Sequence, residues 1–225
     1  MNPNLTVFLK FFGLAFSALL PLINPLGSAL VFLGLVEGAP ALVLRDLARR
    51  IAINTTLFLI FIELAGTAIL HFFGISLPVV QIAGGLILAS MGWGLLNQET
   101  PQPSPATEDF SKAGTRASKE SVFYPLTFPV TAGPGSIVVM LTLSAHVPGK
   151  QLLGDVLAHL GILLAVVALS VLVFICYGYA PKIRDRISPH TVQGILRVIA
   201  FVLFCIGVQI AWNGLEPLLR AVLKP

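Results

Sequence analysis

A chain of 225 residues that is 56% hydrophobic and 11% charged, with a mean hydropathy of +0.91, carries more apolar surface than a water-soluble fold can bury. Soluble domains carry roughly a quarter of charged residues, so composition alone points to an integral membrane protein. The net charge of +4 is small and, as shown below, sorted by loop, which makes it a topology signal and not a nucleic-acid footprint.

Crossing about 30 Å of hydrocarbon takes roughly 20 helical residues. Six stretches meet that length, over residues 5–36, 47–70, 75–96, 122–145, 152–177 and 193–215. The opening MNPNLTVFLK has neither the basic region nor the cleavage site of a signal peptide, so the first stretch is expected to remain in the mature protein. That stretch is too long for one plain span and is interrupted by PLINPLG, from Pro21 to Gly27.

The second stretch carries Asn54 and Glu63. A carboxylate inside a membrane is expensive and by default functional, here as a proton carrier or an ammonium partner. The alternative is an ion pair, or a carboxyl near an outer vestibule. In the third stretch Gln81 suits an interhelical hydrogen bond, and Gly84, Gly85, Ala89 and Gly92 suit close helix packing. Residues 97–121, rich in proline, serine, threonine and charge, read as a flexible cytoplasmic linker.

The fourth stretch contains FPVTAGPGSIV, two prolines and two glycines where a spanning helix most needs its backbone bonds. In the fifth, Asp155 and His159 share a helix face near its start and read as interface polarity. Gln209 in the sixth suits an interhelical contact or a place along a pathway. Cys176 and Cys205 lie in apolar runs without metal spacing and read as small buried residues.

Charge placement orients the spans. Arg45, Arg49 and Arg50 follow the first, Lys112, Arg116 and Lys119 lie in the linker, and Lys182, Arg184 and Arg186 follow the fifth. The other side has only Lys10, Lys150, Arg220 and Lys224. The positive-inside rule therefore puts the linker in the cytoplasm and both termini outside.

The two interruptions resemble each other. NPLGSALVFL (from Asn24) aligns with GPGSIVVML (from Gly133) with one residue gapped, placing Pro25 on Pro134 and Gly27-Ser28 on Gly135-Ser136. GGLILASMG and IAFVLFCIG form a weaker echo in the third and sixth spans. An odd number of spans per unit inverts the second unit. The expected fold is thus an all-α polytopic membrane protein with six transmembrane helices as two inverted three-helix repeats, helices 1 and 4 being broken. The units are residues 1–96 and 122–225, joined by the linker 97–121.

Matched Gly/Pro breaks in such a repeat mark a substrate site near the midplane. Irregular backbone survives at membrane depth only against protein or a water-filled cavity. Pro25 and Pro134 suit the first turn of a new half-helix, while Gly133 and Gly135 admit close approach to the main chain. The amides of Ser28, Ser136 and Ile137 are expected to point at the breaks, where each helix N-terminus carries about half a positive charge. Asn24, Thr127, Thr131 and Ser136 are the nearest polar side chains, with Asn24 and Ser136 the first choices for ligand contact.

LINPLGSALVFL and YPLTFPVTAGPGSIVVMLTL together resemble the MarC family of bacterial inner-membrane proteins, over nearly the whole chain. The resemblance implies a secondary transporter of small neutral amino acids such as alanine and glycine, coupled to H+ or Na+ and needing no cofactor. A zwitterion suits the inferred site, its carboxylate on the half-helix N-termini and its ammonium on carbonyls and side-chain oxygens. The expected partners are the lipid bilayer and the solute, without nucleic acid; a homo-oligomer is compatible with this.

The rival reading is a translocase of a lipid-linked or other anionic substrate, which calls for a basic residue near the breaks; the sequence places none there. An intramembrane enzyme is not expected, because no Ser/His, paired-aspartate or metal motif falls at matching depth.

Overall fold

The computed structural model describes residues 3–36, 39–97, 122–147, 151–182 and 188–223. The linker expected over 97–121 lies, beyond Asn97, outside the described residues. The elements in chain order are α1 (Pro3–Ile23), α2 (Pro25–Leu35), α3 (Ala41–Phe72), α4 (Leu77–Asn97), α5 (Phe123–Thr131), α6 (Pro134–Ala145), α7 (Leu152–Gly178) and α8 (Pro189–Leu223), all helical, with no strand among the described residues. Five stretches are long and apolar enough to cross a membrane: Asn4–Leu35, Ala41–Phe72, Leu77–Asn97, Leu152–Gly178 and Gln193–Leu223. The pair α5 and α6 makes a sixth if taken as one span bent by 63°.

The two interruptions differ in form. Between α1 and α2 a single residue, Asn24, takes the left-handed conformation (φ 41, ψ 63), and the pair still runs on as one apolar stretch of 32 residues. Around α5 the disturbance is deeper. Tyr124 and Phe128, each directly before a proline, are extended inside the coil. The bend itself falls at Ala132 and Gly133, after which Pro134 restarts a regular helix as its first residue.

Packing follows side-chain size. α4 lies along α8, α1 along α7, and α3 against both α7 and α6; α2 reaches α7 and α5, while α4 and α1 also touch α6 and α1 reaches α8. The α4–α8 seam is close because it is lined with small residues. A Cβ on Gly207 would come 2.7 Å from the Gly85 carbonyl oxygen, and one on Gly85 would come 2.6 Å from that of Gly207. Gly92 is pressed in the same way against Phe204. The stripe read from the sequence is therefore a packing surface.

Gln81 donates through Nε2 to Thr142 Oγ1 at 3.3 Å, the interhelical bond expected of it. Gln209 bonds instead within its own helix, to Asn213 Oδ1 at 2.8 Å. Leu57, Phe61, Leu64, Leu86, Trp93 and Phe201 point outward, as suits a protein whose outer faces meet lipid.

Candidate functional site: two helix breaks joined by Tyr177

At the first break the chain satisfies itself. Asn24 Oδ1 accepts from the Gly27 amide at 3.1 Å, capping α2. The Ser28 amide donates to the Asn24 carbonyl at 2.9 Å, and Ser28 Oγ lies 2.6 Å from the Ile23 carbonyl oxygen and 2.5 Å from that of Asn24. Asparagine tolerates the left-handed region better than most residues, and its short amide reaches back to the new helix. Gly27 must lack a side chain, because a Cβ there would collide with the Asn24 amide and Leu196.

The second break uses hydroxyls. In a coil with two prolines, backbone donors are short, and Thr127 Oγ1 donates to the Val122 carbonyl at 2.9 Å. Thr131 Oγ1 stands in the same relation to the Leu126 carbonyl at 2.6 Å. Ser136 turns back on its own helix start, its amide and its Oγ each 3.0 Å from the Gly133 carbonyl oxygen. Gly135 sits against Leu88 and Leu22, where a Cβ would clash.

Tyr177, from α7, joins the two breaks. Its hydroxyl lies 2.8 Å from Thr131 Oγ1. The ring stacks on Phe32 of α2, with centroids 4.7 Å apart. Tyr177, Thr127 and Thr131 are completely buried, and Ser28 and Ser136 nearly so. The result is a buried hydroxyl pair, Thr131 with a phenol that the sequence reading missed. Its signal was a tyrosine at the end of an apolar run, since a buried tyrosine hydroxyl usually needs a partner.

Asn24 and Ser136 do not meet through any hydrogen bond among the described residues; Asn24 caps its own helix, and Ser136 donates to the Gly133 carbonyl at the start of its own. The expectation of amides left open at Ser28 and Ser136 is corrected here, because both donate within the chain. The physical reason is general. A buried amide without water must find an internal partner, and a neighbouring carbonyl or asparagine is the nearest.

Glu63 lies apart from this cluster and has found a partner on the other half of the chain. Its Oε1 is 2.7 Å from His159 Nδ1 of α7, and the Ser144 hydroxyl of α6 donates to its backbone carbonyl at 3.3 Å. His159 is therefore more than interface polarity. Nothing in either segment announces the pairing, which spans 96 residues of sequence.

The MarC family of integral membrane proteins matches residues 9–219. The inner membrane protein MarC of Salmonella typhimurium is 28% identical over 216 residues, covering 94% of this chain and 96% of the relative. Its counterpart in Escherichia coli is 29% identical over 213 residues with the same coverage. No solved structure matches. With a match that runs through all the helices described above, the chain belongs to the MarC family of integral membrane proteins.

Proposed function

We propose that the protein is a secondary transporter that moves a small neutral amino acid, alanine- or glycine-like, across the bacterial inner membrane by alternating access. The observation that carries this reading is Tyr177, whose buried hydroxyl meets Thr131 beside one interruption while its ring stacks on Phe32 of the helix that follows the other. Relatives named as inner membrane proteins support the location.

Much of the packing supports two inverted units, α1 to α4 and α5 to α8. If α1 and α2 answer to α5 and α6, α3 to α7, and α4 to α8, most of the contacts exchange among themselves. Element by element, the α1–α7 contact has its counterpart in α5–α3, α2–α7 in α6–α3 and α1–α6 in α5–α2, while α3–α7 and α4–α8 are their own counterparts. The distribution of arginines and lysines along the sequence supports a cytoplasmic linker with both termini outside.

In the arrangement described, the Asn24 cap holds a place a ligand would take. A substrate carboxylate displaces Asn24 Oδ1 from the Gly27 amide and lies near the positive ends of α2 and α6. The ammonium group is met by the hydroxyls of Ser28, Thr127, Thr131 and Ser136 and by carbonyl oxygens at the breaks. Pro25, Gly133, Pro134 and Gly135 shape the backbone that allows this.

Counterflow of labelled alanine or glycine in proteoliposomes tests the reading, with Asn24→Ala and Ser136→Ala as comparisons. Exchange that both substitutions reduce is expected. Absence of exchange across a panel of neutral amino acids overturns the assignment.

A further inference from the structure

We propose that Glu63 and His159 form a proton-binding site that clasps the two halves of the protein together. Glu63 is near the end of α3 and His159 near the start of α7, so both lie toward the same end of the bundle. The Glu63 side chain is fully buried, whereas that of His159 is 37% exposed. One carboxylate oxygen, Oε1, faces His159 Nδ1 at 2.7 Å; the other, Oε2, is buried and has no hydrogen-bond partner among the described residues.

This geometry fits one mobile proton. With a proton on either the imidazole or the carboxyl, the pair is neutral overall and can remain in the low-dielectric seam. Without it, Glu63 is a buried carboxylate with no counter-charge, an arrangement that costs several kcal/mol in real proteins. Leaving one oxygen unpartnered is equally unfavourable for a permanent ion pair, which would need its remaining lone pairs satisfied. A proton on Oε1, within the 2.7 Å hydrogen bond to His159 Nδ1, neutralises the carboxyl and makes no demand for a counter-ion. Because His159 is the exposed member, the proton reaches Glu63 from that side through the imidazole.

The other ionisable groups nearby do not replace this pair. On α7, Asp155 stands one turn closer to the helix start than His159. From α6 the contact is the uncharged Ser144, and His146 just beyond it turns its Nδ1 to the Thr142 carbonyl at 2.6 Å. On α3 itself, His71 lies two turns further along at the exposed end. From α5 the ionisable group is Tyr124, which is exposed on the outer face.

The pair also explains what the proton would act on. Glu63 belongs to the first half of the chain, while His159 and Ser144 belong to the second. Losing the proton weakens the α3–α7 seam at the point where α6 is also tied to it. That couples protonation to the relative movement of the halves, a consequence that rests on the transport reading above.

The proton site itself is tested without substrate. Infrared difference titration of the reconstituted protein should show a carboxylic-acid band that appears as pH falls, is absent in Glu63→Gln, and moves its midpoint in His159→Gln. A band unchanged in Glu63→Gln, or a midpoint indifferent to His159→Gln, overturns the proposal.

Coupling is read separately, as alanine accumulation driven by a pH gradient relative to alanine counterflow. That ratio should fall about tenfold or more in Glu63→Gln, within the usual range of coupling between sites; an unchanged ratio overturns the coupling. A wild-type protein that shows no counterflow overturns the transport reading, and the infrared titration still decides the proton site.

Discussion

The hydroxyl of Tyr177 lies 2.8 Å from Thr131 Oγ1 and completely out of reach of solvent, so one side chain of α7 holds the end of a disrupted helix in place. The Tyr177 ring stacks on Phe32, just past the other interruption. Truncating the hydroxyl separates these roles. Tyr177→Phe should keep the stacking and cost about 1 kcal/mol of stability, the usual worth of a hydrogen bond. Tyr177→Ala should cost about 3–5 kcal/mol by leaving a cavity. Thermal unfolding in detergent distinguishes them, and equal losses would show that the hydroxyl bond contributes nothing.

Asn24 combines a left-handed backbone with a cap on Gly27. Asn24→Ala loses both and should cost about 1–2 kcal/mol. Asn24→Gly restores the backbone freedom but not the side-chain bond, so its loss should be only a few tenths of a kcal/mol. If counterflow depends on the amide and not merely on the fold, glycine will recover stability without recovering exchange. Matching recovery of both would assign Asn24 a purely structural role.

The seam of α4 and α8 has no room for side chains at Gly85 and Gly207. Gly207→Val or Gly85→Val should separate the helices and cost about 1–3 kcal/mol, as overpacking does. Gly94, whose Cβ would meet nothing within 4 Å, is the control on the same helix, and Gly94→Ala should be tolerated. Size-exclusion profiles and melting temperatures after purification report the difference. Tolerance at Gly207 comparable to that at Gly94 would contradict the close approach.

Orientation is open to direct labelling. In a background with Cys176 and Cys205 replaced, a single cysteine at Ser111 in the linker should react with an impermeant maleimide only after the cells are opened. One at Thr6, near the start of α1, should react in intact cells. The reverse pattern would invert the topology inferred from the positive residues.

Composition and periodicity sufficed for the membrane class, because apolar stretches of spanning length cannot be hidden in a soluble core. The helix starts at Pro25 and Pro134 were also legible. Proline and glycine act on their own backbone neighbours, so Asn24-Pro25 and Gly133-Pro134 mark helix restarts wherever the rest of the chain goes. What local chemistry could not decide was which groups would occupy the freed amides. The Gly27 amide went to Asn24, and those of Ser28 and Ser136 to nearby carbonyls, since burial forces each donor onto the nearest available partner. Tyr177 with Thr131, and Glu63 with His159, are separated by 46 and 96 residues, and no residue pattern connects them. Only the packing of α7 against α2, α3 and the proline-rich coil brings these polar groups together, where the absence of water makes each pairing compulsory.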